Sequence, residues 1–415
     1  MDVRSLSVLA YFGDDPDRVY QLIQWLPVLE LLDAHESVGI VLQDPETATI
    51  VRARTTLPVL FAADFGELRD LYAELDAKVA LYCNNSTSNF DSLLETRMLH
   101  VHINHGESDK QSMASNNAKS YDRVFVAGQA AVERYALSLL EFDTDRLVRI
   151  GRPQLDLERV PALTPSPRRT VLYAPTWEAD ADYNNYSSVD TIGTRIVQQL
   201  LDVPDVRLVY KPHPRVVISA DPGIGSGHRE ILDLVARAAA LDPAAGHLAL
   251  LDADILAVMP ACDAMVTDVS SVGLDWLYLR TERPLFIADR HHDPERLRLG
   301  APVSRCADVL DSQNVHGLTE LLTARLEHDE LYAARIAMRN HYFDGVKVGD
   351  STARFVEAVG ALARLRDTLL PDGAEEAGRS RPGSQRPRSR STRWLASPPG
   401  EPVTQPPGWL PEPHR

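Results

Sequence analysis

LSVLAYF at residues 6–12, followed closely by PDRVYQLIQWLPVLELL at residues 16–32, decides the fold class of this chain. The first run is short and almost wholly apolar, which is typical of a strand buried on both faces of a sheet. In the second run apolar residues recur at helical spacing, at Val19, Leu22, Ile23, Leu26, Val28 and Leu29. A buried strand that leads directly into an amphipathic helix indicates a βα unit.

The same alternation of strand and helix continues along the chain. In the first half it predicts strands at 38–42, 59–62, 79–81, 100–103 and 124–127, and helices at 65–75 and 130–140. In the second half it predicts strands at 170–173, 207–210, 248–251, 264–267 and 284–287, and helices at 192–201, 229–241 and 272–278. Beyond Val315 the pattern is helical to about Leu370, with a break at Asp344-Gly345. We therefore predict an α/β protein with mostly parallel sheets.

A proline-rich break near residues 150–167 separates the two halves, and the chain of 415 residues is long enough for two domains. We place the N-terminal domain at 1–160 and the C-terminal domain at 168–345. A closing helix at 346–370 is expected to cross back to the first domain. The tail at 371–415 is rich in Pro, Arg and Ser and is predicted to be disordered.

The formal charge of −16 argues against a nucleic-acid partner and against general affinity for anionic lipid. No run approaches the roughly 20 apolar residues that cross a bilayer, and the N-terminus lacks a signal-peptide pattern. The three cysteines, Cys83, Cys262 and Cys306, are widely spaced, which fits a reducing compartment. We expect a cytoplasmic protein whose membrane contact is at most peripheral, at the inner face.

A first polar loop, His105-Gly106-Glu107-Ser108-Asp109-Lys110, follows the predicted strand at 100–103. Ligands of α/β folds bind outside the carboxyl ends of the strands. An imidazole with a pKa of about 6.5 can accept a hydroxyl proton near neutral pH. His105 is therefore a candidate general base that Asp109 would orient, with Lys110 adding positive charge. The alternative is a turn with an exposed histidine.

His100, His102 and His105 also suggest a zinc motif of the HxHxDH type, because alternate residues of a strand point to one face. Asn104 stands at the position where that motif has aspartate, and no further set of ligands follows at the expected spacing. We favour a structural role for His100 and His102, and we expect neither a metal nor another cofactor.

Three polar loops follow strands in the second half. Tyr173-Ala174-Pro175-Thr176-Trp177 presents Thr176, as a ligand contact or as a helix cap. In Lys211-Pro212-His213-Pro214-Arg215 the prolines restrict the backbone around His213, and the two cations suit a diphosphate. Thr267-Asp268-Val269-Ser270-Ser271 leads into a helix whose first amides and serines can cap the helix or bind phosphate.

Taken in order, the HG pair, YAPTW, KPHP and TDxSS with an aspartate on the next helix resemble the CDP-glycerol glycerophosphotransferase family of teichoic-acid-type polymer synthesis. The resemblance covers roughly residues 95–355. It implies the GT-B architecture, two Rossmann-like domains facing across a cleft, with the acceptor on the N-terminal side and the donor on the C-terminal side. It also implies transfer of glycerol phosphate, or a related polyol phosphate, from a CDP-activated donor to a polyol-phosphate or lipid-linked hydroxyl, with release of CMP, in cell-envelope polymer synthesis.

The resemblance also implies roles for individual residues. His105 would deprotonate the acceptor hydroxyl, and His213 would contact the donor diphosphate. Donor-phosphate contacts would come from Thr176, Ser270, Ser271, Lys110, Lys211, Arg215 and, on the closing helix, Arg354. Asp268 would organise its turn. The chain has Glu107 where the family pattern has a small residue such as threonine.

Two other functions remain open at the level of sequence. A GT-B glycosyltransferase that uses a nucleotide sugar would share the phosphate site but attack an anomeric carbon. A non-catalytic nucleotide-binding or sensor module would bind a nucleotide without turnover. The nucleotide released from a panel of donors discriminates among them.

Overall fold

The computed structural model describes residues 5–179 and 184–370. The chain forms two compact units. The first comprises the residues up to His105 together with those from Val359 onward, and the second comprises residues 106–358. The tail predicted at 371–415 lies outside the described residues, and the domain boundaries placed from the sequence stay a prediction.

The first unit is a parallel α/β sheet. Its strands are β1 (Val8–Phe12), β2 (Val38–Leu42), β3 (Val59–Phe61), β4 (Val79–Tyr82) and β5 (Leu99–His102), which pair in the order β3-β2-β1-β4-β5. Its helices are α1 (Tyr20–Ile23), α2 (Leu26–Asp33), α3 (Pro45–Arg52), α4 (Phe65–Glu74) and α5 (Asn89–Leu93). Every residue of β1 and β2 is buried, as expected of strands covered by helices on both faces.

The second unit contains the strands β6 (Arg123–Val126), β7 (Leu147–Arg149), β8 (Arg169–Ala174), β9 (Val206–Tyr210), β10 (Leu248–Ala249), β11 (Ala264–Thr267), β12 (Leu285–Ala288) and β13 (Asp308–Leu310). β6 and β7 pair in parallel, and the others form a six-stranded parallel sheet in the order β10-β9-β8-β11-β12-β13.

Helices cover this sheet and continue to the end of the described chain. They are α6 (Gln129–Ser138), α7 (Gly193–Leu201), α8 (Pro214–Val217), α9 (Pro222–Leu241), α10 (Ile255–Val258), α11 (Ser271–Leu279), α12 (Pro294–Gly300), α13 (Leu318–Glu327), α14 (Tyr332–Phe343) and α15 (Asp350–Leu369). The predicted α/β class is confirmed, and every predicted strand lies within two residues of its predicted bounds.

The single helix predicted at 16–32 is wrong. The structure has a 3-10 turn at Pro16–Arg18 and then two separate helices, α1 and α2. Pro27 stands in the first turn of α2, where its missing N–H is harmless. In one continuous helix its ring would clash with the carbonyl four residues earlier, so the chain breaks at Gln24-Trp25.

Helix α9 begins at Pro222, well before the start predicted at Arg229. Three glycines in its first turns lower the helix propensity that the sequence offers there. Asp221 compensates by accepting a hydrogen bond from the Ile224 N–H at 2.9 Å. A Cβ on Gly227 would lie 2.3 Å from the Val189 carbonyl oxygen, so glycine is required for this close approach.

The short helices α3, α5, α8, α10 and α12 and the three-residue strands β7 and β13 were not predicted. They are too short to show a clear apolar periodicity. Asp44 begins α3 by accepting the Thr47 N–H, a local capping signal that the apolar pattern does not contain.

The start of α15 is fixed by residues far away in the sequence. Within the second unit, Asp156 accepts hydrogen bonds from the Gly349 and Thr352 N–H groups, each at 2.7 Å. The residues of α15 from Val359 onward belong to the first unit, where Arg366 donates to the Arg97 carbonyl at 2.9 Å. Across the described ranges, no helix is long and apolar enough to span a membrane.

Candidate active site

The sheet of the second unit reverses its strand order between β8 and β11, and ligands of such sheets bind outside the carboxyl ends at this point. The two strands end together, with Ala174 opposite Thr267. Thr176 and Asp268 follow them, and the Asp268 carboxylate accepts the Thr176 N–H at 2.7 Å. The loops after two neighbouring strands are therefore tied to each other at the predicted ligand edge.

Asp268 is fully buried, and this burial raises its pKa to about 7. Hydrogen bonds from Ser188 and from the Thr176 amide act in the opposite direction and lower the pKa. Its contacts hold the backbone of the Thr176 loop. The predicted role of Asp268 in organising its own turn stays a prediction.

Lys110 lies beside Thr176. Its Nζ is 3.4 Å from the Thr176 Oγ1 and 5.9 Å from the centre of the Trp177 ring. Burial lowers the pKa of Lys110 to about 8. The nearby Asp268 carboxylate favours the charged amine, but its effect is smaller than that of burial. Lys110, which itself belongs to the second unit, thus places a positive charge near the carboxyl end of β8.

Trp177 forms a platform for the KPHP loop. The Arg215 guanidinium lies 3.6 Å from the centre of the indole ring, and the His213 ring centre lies 6.3 Å from it. The His213 N–H donates to the Pro175 carbonyl at 3.0 Å, and its Nδ1 accepts the Arg215 N–H at 3.2 Å. These contacts fix the direction of the imidazole, as the flanking prolines predict.

Lys211 lies in the same loop and is buried. Its Nζ donates to the Pro212 carbonyl at 3.0 Å, and burial lowers its pKa while Asp252 and Asp254 oppose the shift. The structure therefore brings together Lys110, Thr176, His213 and Arg215 around Trp177, whereas Lys211 bonds to its own loop and interacts electrostatically with two aspartates.

Ser270 and Ser271 stand at the start of α11. Ser270 occupies the cap position, but its side chain makes no capping hydrogen bond. Its Oγ is buried and has no hydrogen-bond partner among residues 5–179 and 184–370. The capping interpretation is wrong for this side chain, and a hydroxyl donor is left at the helix N-terminus.

His105 is the last residue of the first segment of the first unit, three residues after the end of β5. Asn104 has a left-handed backbone with a φ of 52°, and its Oδ1 accepts the His105 N–H at 3.0 Å. The His105 ring lies edge-on to Tyr20, with 6.0 Å between the ring centres. Asn104 thus turns the backbone immediately before His105 and bonds to the His105 amide.

His100 has both ring nitrogens in hydrogen bonds, with the Tyr82 hydroxyl at 2.8 Å and the Glu95 carbonyl at 2.6 Å. His102 is buried, and burial lowers its pKa to about 4. The structure supports the structural role favoured for these two histidines over a role as zinc ligands.

The carboxylate of Asp109 has two hydrogen-bond partners, Arg134 and Tyr342. Its Oδ1 accepts from Arg134 at 3.0 Å, and its Oδ2 accepts the Tyr342 hydroxyl. Arg134 also pairs with Glu107, and all three charged side chains are largely buried. Arg134, Glu107, Asp109 and Tyr342 are therefore linked to one another. The role of Asp109 as the orienting partner of His105 stays a prediction.

Arg354 lies on α15 with its side chain exposed, and it makes no hydrogen bond or ion pair within the described ranges. Its predicted role in phosphate binding stays a prediction. No motif in the sequence pointed to Arg134. The only indirect signal is that Glu107 and Asp109, once buried, require a cation nearby. Trp177 was quoted in its motif, but its function as a platform depends on the fold.

The chain matches a known protein family. Residues 97–361, more than half of the chain, match the family model described as CDP-glycerol:poly(glycerophosphate) glycerophosphotransferase. Among curated protein sequences, none matches this chain.

Solved structures share the fold. The wall teichoic acid polymerase TagF is 15% identical with a TM-score of 0.54, and the alignment covers 88% of this chain and 90% of that chain. The UDP-GlcNAc 2-epimerase from Neisseria meningitidis, bound to UDP-GlcNAc, is 14% identical with a TM-score of 0.54, over 85% of this chain and 99% of that chain. These likenesses confirm the GT-B-like class predicted above. The chain belongs to the CDP-glycerol:poly(glycerophosphate) glycerophosphotransferase family and is a transferase for glycerol phosphate from a CDP-activated donor.

Proposed function

We propose that this enzyme uses CDP-glycerol itself and extends a polyol-phosphate acceptor of the cell envelope. The family match over residues 97–361 carries this proposal. In the reaction, an acceptor oxygen forms a bond to the β-phosphorus of the donor. The bond from that phosphorus to the bridging oxygen breaks, CMP leaves, and the proton of the acceptor hydroxyl passes to a base.

His105 is the base in this proposal. It directly precedes the glycine of the first loop, and the Asn104 turn supports its backbone at the end of β5. A neutral imidazole accepts the hydroxyl proton as the new oxygen–phosphorus bond forms. The oxygen of the acceptor is thereby made a better nucleophile without a free alkoxide.

The donor side of the proposal is the group of residues around Trp177. Lys110 and Arg215 supply positive charge, Thr176 supplies a hydroxyl, and His213 contacts the diphosphate and assists the departure of CMP. Ser270 and Ser271 add donors at the N-terminus of α11. Lys211 adds charge from within the KPHP loop, and Arg354 completes the set predicted from the resemblance.

A donor panel tests the proposed function. Purified enzyme is incubated with CDP-glycerol, CDP-ribitol, UDP-sugars or GDP-sugars and a short poly(glycerol phosphate) acceptor, and the released nucleotide is measured. We expect CMP from CDP-glycerol. Release of UDP or GDP would instead establish a glycosyltransferase, and nucleotide binding without release a binding module.

The acceptor completes the proposal. We propose a polyol-phosphate acceptor, because the family description names poly(glycerophosphate). We propose further that this acceptor is lipid-linked and is met at the inner face of the membrane. Comparison of a soluble acceptor with the same acceptor anchored in vesicles tests this point. Equal rates with both forms would remove the lipid anchor from the proposal.

The pKa of Lys110 predicts a pH limit for donor capture. Because that pKa is about 8, below the ordinary lysine value, the cation is present below pH 8 and is lost as the pH rises through it. We expect kcat/KM for CDP-glycerol to fall above pH 8 in the wild type. Lys110→Arg keeps its charge and should lack this alkaline limb. A limb at the same pH in Lys110→Arg would assign it to another group.

A further inference from the structure

Arg152 is a buried arginine whose hydrogen bonds are incomplete. It is 6% exposed and follows Gly151, which has a left-handed backbone with a φ of 77°. Its Nη2 lies 3.1 Å from the Asp275 Oδ1. Its Nε and Nη1 have no hydrogen-bond partner anywhere in the described part of the chain. Buried, unpaired donors on a permanent cation are costly, so they indicate a ligand that satisfies them.

The free face of Arg152 borders the first polar loop and the start of α11. A Cβ on Gly106 would lie 3.3 Å from the Arg152 Nη1, 3.2 Å from the Ser271 Cβ and 3.5 Å from the Ser271 Oγ. Glycine at this position therefore leaves a small space that the guanidinium and the first residue of the helix both border. All of these residues belong to the second unit.

The start of α11 is suited to an anion. This helix has nine residues, so its first amide groups and its dipole favour negative charge at Ser271. Ser270 adds the buried hydroxyl that caps nothing. Asp275, one turn further along the same helix, is the counter-ion of the guanidinium and contacts it through Nη2, not through the two unpaired donors.

We propose that Arg152 is a further binding residue for the donor, and that its Nε–H and Nη1–H groups hold a phosphate of the diphosphate beside the N-terminus of α11. The identity of the ligand rests on the proposed function. A planar guanidinium presents two parallel donors that match two phosphate oxygens, which an ammonium group does not. Arg152 was not among the residues predicted from the sequence.

Calorimetric titration with CDP, CMP and cytidine tests the proposal without turnover. Arg152→Gln should weaken the binding of CDP by about 10- to 100-fold, the usual range for lost hydrogen bonds to a charged group. Binding of cytidine should be unchanged. Arg152→Lys should recover only part of the affinity. Arg168→Gln is the matched control, because Arg168 pairs with the exposed Asp242 and lies outside the site.

Asp275→Asn separates binding from structural support. It breaks the same ion pair but leaves the guanidinium, so we expect it to lower the melting temperature while CDP binds at least as tightly as to the wild type. An equal loss of CDP affinity in Arg152→Gln and Asp275→Asn would overturn the proposal, as would wild-type affinity in folded Arg152→Gln.

The two proposals fail in different ways. If the wild type binds CDP through Arg152 but releases no CMP with any acceptor, the phosphate site stands and the proposed function fails. If the wild type releases CMP from CDP-glycerol while Arg152→Gln and Arg152→Lys bind CDP normally, the function stands and the role of Arg152 is wrong.

Discussion

His105→Ala should lower the rate of glycerol phosphate transfer by about 1000-fold, within the range that general base catalysis contributes, while the affinity for CDP-glycerol stays within about twofold. The reason is that the two groups of residues have separate roles in the proposal. His105 would accept the proton of the acceptor hydroxyl, whereas the residues around Trp177 would contact the donor diphosphate. Removal of the base leaves the diphosphate contacts intact but leaves the acceptor hydroxyl with its proton.

The measurement is single-turnover CMP release together with calorimetric titration of CDP-glycerol. His316→Ala is the control, because it removes an exposed imidazole from a turn outside the site. Added imidazole should restore part of the activity of His105→Ala, since a small base can enter the space left by the ring. Wild-type turnover in His105→Ala would show that another group accepts the proton.

Arg134→Met should destabilise the second unit by about 3–5 kcal/mol, the usual effect of removing one partner from a buried ion pair. The guanidinium holds two carboxylates, those of Glu107 and Asp109, whose side chains are 6% and 2% exposed. Without it both would be buried as unpaired charges. Thermal unfolding followed by circular dichroism measures the effect, and Arg168→Met, in an exposed pair, should leave the melting temperature unchanged.

The direction of the pH effect follows from Asp109. Burial raises the pKa of this carboxyl, and the Arg134 charge opposes the rise. Loss of Arg134 therefore raises the folded pKa further above its unfolded value, so the folded variant is favoured below that pKa and loses stability as the pH rises through it. The stability of Arg134→Met relative to the wild type should therefore fall as the pH rises above the ordinary aspartate pKa.

A triple variant isolates the cause. Glu107→Gln and Asp109→Asn, added to Arg134→Met, remove the unpaired charges and keep an acceptor for the Tyr342 hydroxyl. Most of the lost stability should return, because an apolar or neutral substitute for a buried ion pair is often tolerated. An unchanged melting temperature in Arg134→Met alone would show that the carboxylates are not held by this arginine.

The spacing of apolar residues and the positions of the proline-rich breaks were enough to predict the α/β class. Runs such as residues 38–42 and 264–267 are buried on both faces, and this burial appears in the sequence as continuous apolar character. The predictions were wrong where a local rule acted against the periodic pattern. Pro27 divides the first helix, and the glycines before Arg229 concealed the first turns of α9.

Parallel topology also explains why the candidate donor residues could be found. Polar loops that follow strands meet at one edge of a parallel sheet, so Thr176 and Asp268 are close although they lie far apart in the sequence. The same rule selected Lys211 and His213. It does not specify the direction of each side chain, and the Lys211 ammonium donates to the Pro212 carbonyl of its own loop.

The partners of the buried charges depended on the tertiary structure. Arg134 lies on α6 and Arg152 follows β7, and neither belongs to a motif that the sequence marks as functional. A buried charge needs a counter-charge within a few ångströms, but any element that packs nearby can supply it. Strand and helix positions follow from local chemistry in the chain, whereas the pairing of Arg134 with Glu107 and of Arg152 with Asp275 follows from long-range packing, which brings residues together irrespective of their separation in the sequence.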